Sequence, residues 1–230
     1  QYGVNLAKTQ PKSHLQSFSC DTTFRMPTKG QLRAAIKRDL KLVALPEIAR
    51  QSRQAKAVIN LLPRFKAAKT VGLYLNMPHL EIHTIPLVQE CFNTQKRVFL
   101  PRCIFEERPP RKKNHMEMLE VRSMDELQAL VPQGPYKLRE PQPGATDALT
   151  CGLDVLIVPG VAFSPSLHRM GHGAGFYDEY LSYYTTTHGS KPYILGVGLK
   201  EQLQVDVPTE KHDWNLDGLV IADKFYGNFE

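Results

Sequence analysis

The chain has 230 residues, of which 42% are hydrophobic and 23% charged, a composition typical of a soluble globular domain with one large core. No apolar run approaches the roughly 18 residues that span a bilayer, and no signal-peptide pattern is present. The cysteines form no Cys-x-x-Cys pair and are irregularly spaced, at Cys20, Cys91, Cys103 and Cys151. These features predict reduced thiols, no zinc site and a cytoplasmic protein that does not act on membranes.

The 29 basic and 23 acidic residues leave a net charge of +6. Such a charge suits nucleic acid, a membrane surface or an anionic small molecule. Part of it comes from a basic cluster made of Arg108, Arg111, Lys112 and Lys113. We interpret this cluster as a solvated loop. Because aromatic residues do not alternate with the basic ones, we expect no nucleic-acid partner.

Residues 1–25 differ from the rest of the chain. They are rich in Ser, Thr, Gln and Lys, contain one acidic residue, Asp21, and lack a sustained apolar period. We therefore expect a disordered or tag-like tail at 1–25 and a single domain at 26–230. An organellar transit peptide is the alternative for this segment and would place the protein in mitochondria, although Arg25 is its one arginine.

The first half of the chain alternates between helical and strand patterns. Leu32, Ile36 and Leu40 recur every four residues and predict a helix that begins after Thr28. The next elements are predicted, in order, as a helix between Pro46 and Pro63, a strand at 71–75, a helix at 82–92 and a strand at 97–101.

The second half continues this alternation. Ser123 and Glu126 form a capping-box pattern for a short helix, while the four prolines and two glycines of 132–150 predict an extended connection. The other elements are an edge strand at 116–121, a strand at 154–158, a helix from Phe176, and final strands at 194–198 and 219–222. The alternation predicts an α/β fold in three layers, with a mostly parallel sheet flanked by helices.

A glycine-rich loop lies between the strand at 154–158 and the helix that follows. Arg169 precedes its alternating residues, Gly171, His172, Gly173, Ala174 and Gly175. Backbone amides at such a loop and at the helix N-terminus can surround an anion, and a guanidinium matches phosphate oxygens. The glycine spacing is neither that of a dinucleotide fingerprint nor that of a P-loop, so a tight structural turn is the alternative.

Two aspartates are candidate metal ligands. Asp178 follows the glycine loop directly, and Mg²⁺ is usually held by one or two carboxylates together with substrate phosphates. The alternative for Asp178 is an acidic residue that complements the helix dipole. Asp213 lies in a polar stretch before the last predicted strand, where an ordinary loop aspartate is the alternative.

Other candidates lie on separate elements. Lys29 and Arg33 are four residues apart on the first helix. They either bind a polyphosphate together or belong to a solvated helix face. Glu81 follows the end of a strand, where ligands gather in open α/β sheets, and could bind an amino-bearing ring or cap the next helix. His172 could transfer protons or contact phosphate.

Two motifs resemble the 5-formyltetrahydrofolate cyclo-ligase family. Its pattern is close to PG-x-x-F, a gap, and RLG-x-G-x-GYYD, which Pro159–Phe163 and Arg169–Asp178 match. Shorter matches follow the same order along the chain, at Lys29-x-x-Leu32-Arg33, Gln51-Ser52-Arg53, Glu81-Ile82, Asn114–Met118 and Pro141–Gly144.

The resemblance implies a fold of the NagB/RpiA/CoA-transferase type and a specific reaction. The expected enzyme uses ATP and Mg²⁺ to cyclise 5-formyltetrahydrofolate (folinic acid) to 5,10-methenyltetrahydrofolate, with release of ADP and phosphate. A phosphorylated formyl group, an N5-iminium phosphate, is the implied intermediate. We further expect a monomer.

The resemblance also implies the roles of individual residues. Arg169 and Asp178 would be catalytic, Asp178 and Asp213 would hold Mg²⁺, and the folate would contact Leu75, Glu81, His172 and Phe176. ATP would contact Lys29, Arg33, Arg169, Met170, Gly171, His172, Gly173, Ala174, Gly175, Phe176 and Tyr177.

The chain departs from the family pattern in places. Ser164 stands where Asp is usual and Leu167 where Gly is usual, and we expect an altered turn at 164–168 because Gly tolerates dihedrals that Leu resists. Met170 and Phe176 replace Leu and Tyr and conserve bulk. Two other functions stay open: a non-catalytic relative that binds folate or nucleotide, and a nucleic-acid-binding protein that uses the positive charge.

Overall fold

The computed structural model describes residues 27–77 and 80–229. The tail predicted at 1–25 lies outside these residues, so the tail, the transit-peptide alternative and the domain boundary at 26 stay predictions. Within the described ranges, no helix has the length and apolar character needed to cross a membrane.

Helices and strands alternate along most of the described chain. The helices are α1 (Lys29–Leu40), α2 (Leu45–Ile59), α3 (Pro63–Ala67), α4 (Ile85–Asn93), α5 (Met124–Ala129), α6 (Ala148–Cys151) and α7 (Phe176–His188), with a 3-10 helix at Lys200–Gln202. The strands are β1 (Thr70–Gly72), β2 (Arg97–Ile104), β3 (His115–Val121), β4 (Pro132–Gln133), β5 (Leu138–Arg139), β6 (Val155–Val158), β7 (Ala162–Phe163), β8 (Arg169–Met170), β9 (Tyr193–Gly198), β10 (Gly218–Ile221) and β11 (Lys224–Gly227).

A seven-stranded sheet forms the middle layer, in the order β11-β10-β9-β6-β1-β2-β3. The inner pairings, from β10 through β9, β6 and β1 to β2, are parallel, whereas the edge strands β3 and β11 pair antiparallel. This arrangement confirms the predicted mostly parallel α/β sheet and the predicted edge strand near 116–121.

The side chains of β6 divide the core between the two faces of the sheet. Val155 and Ile157 pack into a cluster with α1 and α2, while Leu156 and Val158 pack into a second cluster with α7. Successive side chains of a strand point to opposite faces, so a strand covered on both sides is apolar throughout. Burial on both faces therefore explains why Val155–Val158 are four consecutive aliphatic residues.

The first predicted helix is confirmed, and its N-terminus is capped. The amide of Gln31 donates to Thr28 Oγ1 at 3.3 Å, and the Gln31 side chain accepts from the Thr28 amide at 3.0 Å. Leu32, Ile36 and Leu40 are buried. This cap satisfies free N–H groups at the helix start and places Lys29 and Arg33 on the first turns, at the edge of the sheet.

The segment 132–150 was wrongly predicted as a plain connection. It contains the two-stranded hairpin β4–β5 and the short helix α6. Strands of two residues are too short to show alternation, and prolines conceal them further. β11 was also missed, since 219–222 was predicted as the last strand, and β1 ends at Gly72 rather than at residue 75.

Backbone hydrogen bonds close a turn at 164–168, where the sequence departs from the family pattern. Leu167 has a φ of +66°, in the left-handed region that Gly prefers. Its amide donates to the Ser164 carbonyl at 2.9 Å, and the Ser164 amide donates to the His168 carbonyl at 3.1 Å. Leu167 therefore takes a backbone conformation that glycine favours, and its side chain packs against the second core cluster.

Candidate active site

The glycine loop and the start of α7 line a small pocket of about 100 Å³. Its lining residues are Pro159, Arg169, Gly171, His172, Ala174, Gly175, Phe176, Tyr177 and Asp178. Gly175 is the N-cap of α7, has a φ of +73°, and leaves the first helical amides without a side-chain cap. Uncapped amides at a helix start attract anions, and anion binding at this loop stays a prediction.

Arg169 and Asp178 form a nearly buried ion pair across the mouth of the loop. Arg169 Nη2 lies 3.0 Å from each carboxylate oxygen of Asp178. Asp178 Oδ1 also accepts the Trp214 amide at 3.1 Å. The carboxylate is thus fixed in place by the Arg169 guanidinium on the short strand β8 and by the Trp214 amide, which belongs to the loop before β10.

Lys29 and Asp213 form a second ion pair beside the first. Lys29 Nζ lies 2.6 Å from Asp213 Oδ2 and 3.3 Å from Glu210 Oε1. Burial raises the pKa of Asp213, but hydrogen bonds from Lys29 and from the Glu210 amide outweigh it, so that the pKa falls below its ordinary value. Asp213 is consequently ionised at neutral pH.

The two aspartates are suited to a magnesium ion that is shared with a phosphate ligand. Trp214 follows Asp213 in the chain and donates its amide to Asp178, so the segment that carries Asp213 lies against Asp178. The described residues contain no cluster of three or more His, Cys, Asp or Glu that could hold a metal alone. Mg²⁺ typically takes one or two carboxylates and completes its coordination with phosphates and water.

Trp214 is a positioning residue that sequence reasoning missed. Besides its amide contact, its indole Nε1 donates to Ser182 Oγ on α7 at 3.1 Å. The two bonds attach the Asp213 segment to the helix that carries Asp178. The only signal in the sequence was its position next to Asp213.

Arg33 supports the glycine loop from α1. Its Nε donates to the Gly171 carbonyl at 2.8 Å. Its guanidinium also lies beside Gly173, where a Cβ atom would be 3.7 Å from Arg33 Cζ. Arg33 therefore faces the glycine loop, whereas Lys29 faces Asp213 and Glu210.

Glu81 lies on the other side of the loop and is buried, with 4% of its surface exposed. Its Oε2 accepts the Met77 amide at 2.7 Å, and its Oε1 lies 3.5 Å from His172 Nε2. Burial, and then the charge of Glu81, raise the pKa values of Tyr74 and Tyr177. Both phenols stay protonated near this carboxylate and can donate hydrogen bonds.

Three aromatic rings from separate segments meet next to the loop. The centroids of Phe105, Tyr136 and Phe176 lie 5.9 to 6.3 Å apart. Such a cluster offers flat apolar surfaces and ring edges to a planar ligand. Phe105 and Tyr136 were not predicted, because Tyr136 belongs to the hairpin that was read as a connection.

Two of the predicted binding residues face the interior instead of the pocket. The Met170 side chain is in the core, and its carbonyl accepts the Val161 amide at 2.7 Å. Leu75 is half-buried and packs against the cluster of α1 and α2. Contact with Leu75 stays a prediction, since Pro78 and His79, between Leu75 and Glu81, lie outside the described residues.

The fold and the site define an α/β protein whose glycine loop, two cations and two carboxylates form one polar centre at the edge of the sheet. The chain matches the model of the 5-formyltetrahydrofolate cyclo-ligase family over residues 25–222. It therefore belongs to this family, as the sequence motifs indicated.

Named relatives cover nearly all of the matched region. The 5-formyltetrahydrofolate cyclo-ligase of Saccharomyces cerevisiae is 35% identical over 206 residues, which are 86% of this chain and 97% of the yeast protein. The Mus musculus enzyme of the same name is 30% identical over 85% of this chain and 94% of its own. The NMR structure of Aquifex aeolicus 5,10-methenyltetrahydrofolate synthetase superposes with a TM-score of 0.68 and 25% identity, covering 86% of this chain and 92% of the other.

Proposed function

We propose that the protein cyclises 5-formyltetrahydrofolate to 5,10-methenyltetrahydrofolate and consumes Mg²⁺-ATP, with release of ADP and phosphate. Family membership supports the cyclisation. The observation that carries the use of nucleotide and metal is the pairing of Arg169 with Asp178 and of Lys29 with Asp213 beside the glycine loop. The cations are suited to bind phosphate oxygens, and the carboxylates are suited to bind a hard metal ion.

The reaction proceeds in two steps, a phosphoryl transfer and a ring closure. The formyl oxygen attacks the γ-phosphorus of ATP, the bond from that phosphorus to the ADP oxygen breaks, and an N5-iminium phosphate forms. N10 then attacks the formyl carbon and loses its proton, and the carbon–oxygen bond breaks to release phosphate. The product is a cation in which N5 and N10 share the positive charge.

The protein accelerates these steps mainly by positioning its substrates and by neutralising charge, as is general for phosphoryl transfer. Lys29, Arg33 and Arg169 bind the phosphate oxygens, and the loop amides complete the anion site. Asp178 and Asp213 hold Mg²⁺, which when bound neutralises developing charge on the phosphates. Because each carboxylate already contacts a cation, the centre is assembled before the substrates arrive.

The folate occupies the opposite side of the loop. The Glu81 carboxylate accepts hydrogen bonds from the N–H groups of the pterin ring, which are its natural partners. Phe176, together with Phe105 and Tyr136, packs against the flat part of the substrate. His172, on the glycine loop and 3.5 Å from Glu81, brings the formyl group toward the terminal phosphate.

The test is an absorbance assay with folinic acid. We expect Mg²⁺ and ATP together to produce the methenyl absorbance near the ultraviolet–visible boundary, with one ADP per product, and no product when either is left out. Folded protein that binds folinic acid but yields no product would contradict the proposal and favour a non-catalytic relative.

A further inference from the structure

The ring closure described above releases one proton that has no assigned acceptor. When N10 attacks the formyl carbon, the new carbon–nitrogen bond makes N10 a cationic amine, and its N–H proton has to leave before the methenyl product can form. The roles given to Glu81 and His172 concern the pterin ring and the formyl group. The reaction therefore calls for a further basic group near N10.

Glu140 is a buried carboxylate that has no role so far. It is 4% exposed, and its Oε1 accepts the Cys103 amide at 3.0 Å. From residues 27–77 and 80–229, its other oxygen, Oε2, accepts no hydrogen bond, and no basic side chain of these ranges forms an ion pair with it. Burying a carboxylate is costly unless hydrogen bonds compensate for the lost water. The free oxygen is thus suited to an N–H group of a ligand.

The Glu140 carboxylate lies beside β2 at the carboxyl end of the parallel strands. β1 is shorter than β2 at this end. The Phe99 carbonyl accepts the Leu73 amide, which follows β1, and backbone groups two residues apart on a strand point to the same side. The Cys103 amide therefore points to the side on which β1 has ended, and Glu140 fills the vacant position there. In open α/β sheets, ligands bind at this end of the strands.

Cys103 connects Glu140 to the candidate active site. Burial raises the pKa of Tyr177, which lines the pocket, and Glu81 and Cys103 raise it further. Burial and then Glu140 raise the pKa of the Cys103 thiol to about 12. Glu81 and the Cys103–Glu140 pair therefore belong to the surroundings of the same phenol.

Glu140 also lies next to the cluster of three aromatic rings. Phe105 is two residues beyond Cys103, and Tyr136 is four residues before Glu140. The Cys103–Glu140 hydrogen bond and the contact between the rings of Phe105 and Tyr136 thus join the same two segments of the chain. A substrate whose flat part packs against these rings brings its neighbouring N–H group to the carboxylate.

A buried ion pair anchors the loop that follows Phe105 to α7. Arg111 donates to Glu179 through Nε at 2.9 Å and through Nη2 at 2.5 Å, and both side chains are less than a tenth exposed. Phe176 lies one turn before Glu179 on the same helix, and its ring is 6.1 Å from that of Phe105. The interpretation of the basic cluster as simply a solvated loop is therefore wrong for Arg111.

We propose that Glu140 is the base of the ring closure and takes the proton of N10. The proposal rests on the proposed function, because it takes the pterin ring to lie at Glu81 and the aryl ring of the folate to lie at the three aromatic rings. N10 links these two parts of the substrate, which brings it to the Glu140 carboxylate.

The proton transfer accompanies the formation of the new bond. As N10 bonds to the formyl carbon, its N–H bond breaks and the proton passes to Glu140 Oε2. The carbon–oxygen bond then breaks, phosphate leaves with the bonding electrons, and Glu140 returns its proton to water. Because N10 carries an aryl ring, its cation is acidic, and a carboxylate is basic enough to accept the proton.

The experiment follows the two steps separately in Glu140→Gln. Glutamine keeps an oxygen for the Cys103 amide but cannot take up a proton. In a single turnover, we expect methenyl formation, measured by stopped-flow absorbance, to slow about a hundredfold, a usual contribution of general base catalysis. ADP formation, measured by rapid quench, should keep the rate of the parent protein. In the steady state, more than one ADP should form per methenyl product, because water returns the N5-iminium phosphate to folinic acid.

Two further variants control for structure. Glu126 also accepts a backbone amide, that of Arg122 at 2.8 Å, but it follows β3 at the amino end of the parallel strands. Glu126→Gln should therefore match the parent protein in both steps. Glu140→Asp retains a carboxylate and should recover part of the methenyl rate. Thermal unfolding shows whether each variant is folded.

Three results would overturn the proposal. The first is a methenyl rate in Glu140→Gln equal to that of the parent protein. The second is an equal slowing of ADP and methenyl formation, which would assign Glu140 to the phosphoryl transfer or to the fold. The third is a higher KM for folinic acid at an unchanged kcat, which would make Glu140 a binding residue only. A parent protein that makes no methenyl product would instead contradict the proposed function.

Discussion

The short strand β8 has a residue with a left-handed backbone conformation on each side, Leu167 before it and Gly175 after it. On the side of the pocket, Gly175 has a φ of +73°, and a Cβ atom there would meet nothing within 4 Å. On the other side, Leu167 has a φ of +66° with a full side chain. The two φ values are nearly the same, yet one residue is a glycine and the other is a leucine.

Packing explains the difference. The Leu167 carbonyl accepts the Leu216 amide at 2.9 Å, and its side chain packs against the second core cluster, so burial offsets the cost of a left-handed residue. Gly175 has no such neighbours to hold a side chain. The turn that contains Leu167 anchors β8 to the core, whereas the loop that ends at Gly175 leaves open space for a ligand.

The largest expected effect comes from Asp178→Asn on the side of the pocket. We expect turnover to fall about a hundredfold or more, since the loss of one group that stabilises charge in the transition state costs on the order of 3 kcal/mol. The kcat of the methenyl-forming reaction measures this effect, and circular dichroism checks the fold.

Asp125→Asn is the matched control for that variant. Asp125 is likewise an acidic residue in the first turn of a helix, α5, and it is exposed. If Asp178 merely complemented the dipole of α7, both variants would lose only a few tenths of a kcal/mol of stability. Equal kcat values for the two variants would thus remove Asp178 from the mechanism.

An intermediate effect is expected from Gly175→Ala, with Gly189→Ala as its matched control. Gly189 ends the same helix with a φ of +72°, and a Cβ atom there would also meet nothing within 4 Å. Each substitution should cost about 1 kcal/mol of unfolding free energy, because each places a side chain in the left-handed region. Only Gly175→Ala should also raise the KM for ATP, by about fivefold to tenfold, since it displaces the loop amides.

Kinetics and urea unfolding on both variants sharpen the comparison. Equal losses of stability with unequal KM values would assign the loop glycine to ligand binding. Equal KM values would mean that Gly175 serves only to turn the chain.

Local sequence patterns predicted the parts of the fold that depend on periodicity. The helical spacing of Leu32, Ile36 and Leu40 and the aliphatic run of β6 record burial directly, so α1 and the central sheet were predicted. The hairpin β4–β5 could not be, because two-residue strands carry no period and are fixed by their neighbours. β11 pairs at the edge and is partly exposed, which weakens its apolar signal.

The candidate site was predicted from residue types, but its partners were not. The glycines, Arg169 and Asp178 stand within one motif, whereas Trp214 reaches Asp178 from 36 positions away in the chain. The pairing of Arg111 with Glu179 spans 68 positions. Such contacts follow from the packing of separate elements, and no local pattern indicates them.

The smallest expected effect is on the core side of β8, in Leu167→Gly and Leu167→Ala. Alanine keeps the left-handed strain and loses about 1 kcal/mol of packing from a half-buried leucine. Glycine loses the same packing and roughly 0.5–1 kcal/mol of unfolded-state entropy, but it is relieved of about 1–2 kcal/mol of strain. The glycine variant should therefore be the more stable of the two by about 0.5 kcal/mol, and both should keep the KM values of the parent protein.

The opposite order is expected at an ordinary helical position. Leu149, in α6, is also half-buried and packs against the same cluster as Leu167. There, Leu149→Gly should be less stable than Leu149→Ala by about 1 kcal/mol, because glycine disfavours helix. Urea unfolding of the four variants measures which substitution, glycine or alanine, is the more stable at each position. If alanine is the more stable substitution at both positions, Leu167 stores no strain, and the two turns of β8 differ only in what packs against them.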